Sequence, residues 1–226
     1  MIGVIFDCDG TLVDSEPLAG EAWRRTLTPY GYALTDGDLA AVTGTTFQHT
    51  HAYLAERVEI PRVEVLWPQL RAELFALYDD QLEPFDDAVQ ALAELRAQGV
   101  PVAVASSSVR ERLDRTLAGG GFEFEISIAG DEVSRGKPAP DMFILAAQRL
   151  GVDPRRCVVV EDSAPGVAAG RAAGMPTLGV CRVPGTESTL AVADRVVNII
   201  SAAQILALGS LEESEPHAQS DIATQS

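Results

Sequence analysis

The chain has 226 residues, 46% of them hydrophobic and 22% charged, a globular composition with ample material for a core. Its net charge of −16 and pI near 4.5 exclude nucleic acid as a natural partner, because that binding rests on clustered Lys and Arg. No run of about 18 apolar residues occurs, which argues against a membrane-spanning helix, and three cysteines without a zinc-type spacing suit a reducing cytoplasm.

The first element is "IGVIFD" (2–7), an unalternating apolar run that reads as a strand buried on both faces. The acid at position 7 comes too early for the apolar region of a signal peptide. Residues 8–99 then separate this strand from the next, far more than one crossover helix requires. Two helical stripes lie in that interval: Phe47, His51, Leu54 and Val58, then Leu66, Leu70, Leu74 and Leu77. A small helical insertion over residues 15–80, hinged beside the end of the first strand, accounts for both. Next, "FDDAVQALAELRAQG" places Phe85, Val89, Leu92 and Leu95 on one helix face, stopped by Gly99.

Strands follow at "VPVAVASS" (100–107) and "ISIAG" (126–130), then a helix in "DMFILAAQRLG" with Phe143, Ala147 and Leu150 on one face. Further strands are expected at "CVVVED" (157–162), "PTLGV" (176–180) and "DRVV" (194–197). The pattern predicts an α/β fold. Residues 1–14 and 81–208 form a Rossmann-like parallel sheet core with helices on both faces, and residues 15–80 a small inserted α-helical cap domain. The polar, aperiodic stretch 209–226 is expected to be a mobile tail.

In open α/β sheets the ligand lies outside the carboxyl ends of the strands, so the residues there are the candidates. The first strand delivers Asp7, Cys8, Asp9, Gly10 and Thr11, the second Ser106, Ser107 and Ser108, and the fourth Glu161 and Asp162. Lys137 follows the third strand by a few residues. An inserted helical domain at this edge would sit over the site as a lid. Asp7 and Asp9 lie two apart, so in extended backbone both face one way and Cys8 the other. With Asp162 they make an anionic pocket that is unfavourable without a cation, and hard carboxylate oxygens suit Mg²⁺.

Lys137 is the one lysine of the chain, beside 16 arginines. A compact ammonium behaves as a point charge, unlike the planar guanidinium fork. Acids, one lysine and hydroxyl donors are the parts that phosphoryl transfer uses. Singly, each motif is ordinary: a DxD turn, a serine capping the helix that continues "VRERL", a Lys-Pro loop. Four such groups at four parallel strand ends make a site.

The constellation resembles the haloacid dehalogenase superfamily. "FDCDGTLVDSEP" is similar to its first motif, Ser106 in "VAVASSS" to its second, Lys137 in "GKPAPDMF" to its third, and "VVVEDSAPGVAAGRAAGM" to its fourth. The fourth has the form found in the subfamily of sugar-phosphate phosphatases and β-phosphoglucomutases, and the resemblance runs from residue 1 to about 205. It implies that Asp7 is a nucleophile forming an aspartyl phosphate. Asp9 is implied as the general acid and then the base, and needs a raised pKa to hold its proton. Mg²⁺ is implied on Asp7, the Asp9 carbonyl and Asp162, with Glu161 direct or through water. Ser106 and the backbone N–H near Ser107 are implied to bind the phosphoryl group, with Lys137 neutralising its charge.

Three relatives separate on single residues. Phosphonatases of the superfamily use a cap lysine, which this chain lacks. Dehalogenases lack the second aspartate, so Asp9 favours phosphate esters. β-Phosphoglucomutases carry a hinge histidine, aligned to Ala19, and basic residues in a loop where this chain keeps Gly44 but has Thr43 and Phe47. The expected activity is therefore Mg²⁺-dependent hydrolysis of a small phosphorylated metabolite, a sugar phosphate or similar monoester. A phosphosugar mutase is the alternative, and a non-catalytic phosphate-binding regulator a third reading.

Around the site, Glu16 in the hinge is expected to face the substrate, and Trp23 is expected in the cap core. His49 and His51, two apart on a helix, make a poor metal pair. A cytoplasmic monomer is expected, with a dimer as the alternative and no membrane contact.

Overall fold

The computed structural model describes residues 1–42 and 47–210. Its centre is a six-stranded sheet in the order β3-β2-β1-β4-β5-β6, parallel throughout. The strands are β1 (Gly3–Phe6), β2 (Val102–Ala105), β3 (Ser127–Ile128), β4 (Cys157–Glu161), β5 (Thr177–Val180) and β6 (Arg195–Val197). β1 and β4 are buried along their whole length, which is why their sequences show no polar alternation. The register pairs Phe6 with Val104 on one side and Val160 on the other, so the chain leaves three strands at one edge.

Side chains alternate between two faces, and each face has its own helices. Val4, Phe6, Val104, Val158 and Val160 pack with α5 (Asp86–Ala97), α6 (Arg110–Gly119) and α9 (Ala202–Ser210). Ile5, Ala103, Ala105 and Val159 pack with α7 (Asp141–Leu150) and α8 (Ala164–Ala172). α7 buries Met142, Phe143, Ala146 and Ala147 and stops at Gly151, whose φ of 69° is a left-handed cap.

Between β1 and β2 lie α1 (Glu16–Leu27), α2 (Asp36–Val42), α3 (Phe47–Ala55) and α4 (Val63–Gln81). Leu66, Leu70, Leu74 and Leu77 are all buried on α4, as their spacing predicts, in one cluster with Ala22, Trp23 and Leu27 of α1. Removing one such leucine to alanine costs about 2–5 kcal/mol in a packed core.

Three details depart from expectation. α5 (with Phe85 just before it) buries Ala88, Ala91, Leu92 and Leu95, so the small alanines share its inner face and Val89 is left 42% exposed. α3 ends at Ala55, so Val58 continues its stripe only beyond the helix. α9 runs to Ser210 and buries Gly209, two residues into the stretch read as tail; residues 211–226 lie outside the described residues. Among the described residues, no helix is long and apolar enough to cross a membrane.

Candidate active site

Parallel strands bring the carboxyl ends of β1, β2 and β4 together, and Lys137 reaches into the gap. Its side chain is only 5% exposed. The ammonium donates to Asp7 Oδ1, to Glu161 Oε1 at 2.6 Å and to the Ala105 carbonyl at 3.2 Å. Burial alone would depress the lysine's pKa, but the charges of Asp7 and Glu161 outweigh it and hold the group above its ordinary value. Lys137 is therefore a fixed cation fitted to three oxygens.

Asp7 is 6% exposed, and burial pushes its carboxyl well above the usual range while the Lys137 ammonium opposes that rise. Asp162 is pushed up to about 7 by burial and then by the charge of Glu161. Carboxylate oxygens of Asp7, Glu161 and Asp162 all lie within 4.8 Å of one another. Two buried acids that resist ionisation beside a third are a donor set short of positive charge. Hard oxygen donors in that arrangement fit Mg²⁺.

The backbone is shaped around these oxygens. Gly10 has φ of 81°, and a Cβ there would stand 2.1 Å from Asp162 Oδ2. At Gly166, in the first turn of α8, a Cβ would stand 1.7 Å from Glu161 Oε1. Glu161 Oε2 accepts from the Ser163 N–H at 2.6 Å and its hydroxyl at 2.8 Å, so both its oxygens are held by protein donors.

Asp9 belongs to a different network. Its Oδ1 accepts from the Ser15 hydroxyl at 2.7 Å and Arg112 Nη2 at 3.2 Å, its Oδ2 from Ser108 at 3.0 Å and Ser106 at 3.3 Å. Burial would raise this carboxyl, but Arg112 and the three hydroxyls outweigh it, so Asp9 is held below the usual range. That corrects the expectation of a raised pKa. The cause is Arg112, whose guanidinium also donates to the Tyr78 hydroxyl at 3.1 Å.

Of the expected site residues, Asp7, Lys137, Glu161 and Asp162 meet directly, while Asp9 and Ser106 meet one hydroxyl network beside them. Ser107 is exposed. No serine caps α6: Val109 precedes it, and Asp131 accepts from the Arg110 N–H at 2.9 Å. Thr43 and Gly44 lie outside the described residues. Glu16 opens α1 and lines a cavity of about 580 Å³ whose other lining includes Ala19, Trp23 and Arg112. Trp23 is buried and stacks on Phe47 with centroids 5.5 Å apart, a core position as expected. His51 Nε2 lies 2.8 Å from the Pro61 carbonyl, a structural contact.

Sequence reading missed Arg112, Ser15 and Tyr78. Arg112 sits in the first turn after the second strand's serines, and Tyr78 directly follows the last leucine of the α4 stripe. Neither position carries a signal stronger than an ordinary helix residue.

A parallel doubly wound sheet with this acid and lysine cluster defines a class. The chain belongs to the haloacid dehalogenase-like hydrolases, whose family profile matches residues 2–174. It is 34% identical over 202 residues to the bifunctional riboflavin kinase/FMN phosphatase of Arabidopsis thaliana, covering 86% of this chain and 52% of that one. The chain thus spans about half of that relative's length. It is 35% identical over 183 residues to the fructose-1-phosphate phosphatase YqaB of Escherichia coli, covering 79% of this chain and 95% of that protein. Among solved structures, a HAD-family hydrolase from Deinococcus radiodurans with bound phosphate and sodium superimposes with a TM-score of 0.73 at 34% identity. The match covers 94% of this chain and 96% of that one.

Proposed function

We propose that the chain is a Mg²⁺-dependent phosphatase that hydrolyses a small phosphorylated metabolite through an aspartyl phosphate on Asp7. One observation carries the reading: a buried lysine fixed between Asp7 and Glu161, with Asp162 beside them. The phosphatase names of two relatives, acting on FMN and on fructose 1-phosphate, support the ester class.

Asp7 and Asp162 would hold the metal with the Asp9 carbonyl, while Glu161, whose oxygens are already engaged by protein donors, steadies Lys137 and would act on the metal through water. Mg²⁺, when bound, neutralises phosphoryl charge. An Asp7 carboxylate oxygen attacks phosphorus, the bond to the ester oxygen breaks, and Asp9 supplies the leaving oxygen's proton. Water then attacks the aspartyl phosphate, giving its proton to Asp9, and inorganic phosphate departs with Asp7 restored. Ser106 and the N–H at Ser107 hold phosphoryl oxygens, and Lys137 balances their charge.

Asp9 is ionised while it faces Arg112, so its acid role requires it to exchange that partner for the substrate's oxygen and gain a proton. As a base in the second step it needs no such help. Residues 15–80 act as the cap, Glu16 and Gly44 contribute to the substrate side, and residues 1–14 with 81–208 form the catalytic core. Ala19 lines the cavity with a methyl group, which leaves water as the acceptor rather than a second sugar hydroxyl.

Release of phosphate from acetyl phosphate tests the reading. Activity is expected with Mg²⁺ and none with EDTA, and Asp7→Asn should lose at least a thousandfold, equivalent to about 4 kcal/mol of barrier. A variant that keeps more than that, or EDTA-resistant turnover, refutes it.

A further inference from the structure

The cavity beside Asp9 has a mixed lining. Glu16 and Arg112, which stand near Asp9, line it together with Asp14 and Thr50, and the Arg112 Nε is buried without a partner among the described residues. The apolar lining includes Leu39, Phe47, Trp67, Leu70 and Leu74. Two more arginines line the space. Arg24 pairs with Asp36 at 3.0 Å, and Arg182 binds Asp87 at 2.8 Å and the Thr11 carbonyl at 2.9 Å while lying over the Phe85 ring, though its Nε, like that of Arg112, is buried without a partner among the described residues.

Size and wall chemistry point the same way. A cavity of about 580 Å³ has the volume of roughly twenty waters and falls within the range of pockets that take drug-sized ligands. A free sugar presents hydroxyls all round. A hydroxyl taken from water without a partner is penalised. Phe47 and Trp67 meet edge to face with centroids 4.7 Å apart, and Trp23 stacks behind Phe47, so the aromatic wall is braced as a unit. A planar ring gains from such a surface both apolar burial and ring–ring contact.

We infer that the substrate is a phosphomonoester whose alcohol part carries an aromatic ring beyond a short polar linker. The phosphate lies at Lys137, the linker's polar atoms meet Glu16 and Arg112, and the ring lies against Phe47 and Trp67. The inference rests on the phosphatase reading and narrows its substrate.

The test has a kinetic arm and a binding arm. Acetyl phosphate, too small to reach the wall, reports catalysis alone. Flavin mononucleotide is then compared with glucose 6-phosphate and fructose 1-phosphate by phosphate release. The flavin ester should exceed the hexose esters at least tenfold in kcat/KM. Hydrolysis of acetyl phosphate with hexose esters equal or better overturns the inference and leaves the phosphatase reading intact.

The binding arm needs no turnover. The chain has two tryptophans, Trp23 and Trp67, and both line the cavity, so their emission reports a ring arriving there. Flavin mononucleotide should quench it saturably, after inner-filter correction, in the metal-loaded Asp7→Asn protein. Glucose 6-phosphate should neither quench it nor displace the flavin at equal concentration. Absence of saturable quenching overturns the inference even if no ester is hydrolysed, an outcome that would independently sink the phosphatase reading.

Discussion

Around Lys137 nearly every polar atom is committed, whereas the cavity beside Asp9 is lined, among the described residues, by more apolar than polar side chains. The lysine has three oxygen partners, Glu161 has three donors and Asp9 four. Among the described residues, most of the cavity's lining side chains are apolar. The difference teaches how the labour of recognition is divided. The charged end depends on position to within fractions of an ångström, since a buried charge that loses its partner costs several kcal/mol. The apolar end depends on area, which many shapes can supply. Disturbances of equal size should therefore have unequal effects in the two regions.

The largest effect is expected at the lysine. Lys137→Ala should lower kcat at least a hundredfold, following the ~3–4 kcal/mol that one preorganised charge contributes in a water-excluded site. Lys137→Arg should also fail, because the longer planar fork does not fit a space where the ammonium is 5% exposed among three oxygens. Steady-state kinetics decides it, and near-normal turnover of the arginine variant would show that charge alone matters there.

Gly166→Ala probes fit without touching charge. The new methyl must displace the Glu161 carboxylate, so kcat should fall about tenfold while overpacking costs ~1–3 kcal/mol in thermal unfolding. Full activity with unchanged melting would mean that Glu161 has room to move.

The mildest probe is pH. Asp162 holds its proton up to about 7, and that proton must leave before the carboxylate can ligate a cation. Below pH 7, Mg²⁺ affinity should fall by up to about tenfold per unit, and above it should level off. Calorimetric titration at pH 6 and pH 8 checks the sign: tighter binding at pH 6 would contradict it.

What could be read in advance follows a physical line. The central strands β1, β4 and β5 were legible because burial on both faces removes alternation, and the site's acids because strands end where their apolar runs end. The α4 leucines were legible through their period. Val89 was misplaced because the inner face of α5 includes the small Ala88 and Ala91, which a pattern of large apolar side chains passes over. The lowered pKa of Asp9 was not legible at all. It depends on Arg112 arriving from 103 positions away, a contact that no local pattern records. The same holds for the aromatic wall, where Trp23, Phe47 and Trp67 come from three separate helices.

The burial of Lys137 also governs how the protein can be handled. No other ε-amine exists in the chain, and this one is enclosed, so amine-reactive reagents find no accessible lysine on the folded chain. A succinimidyl dye should reach the Lys137 side chain only once unfolding opens the site. Lysine-directed cross-linkers should be blind to its self-association, and probing that requires carboxylate chemistry instead.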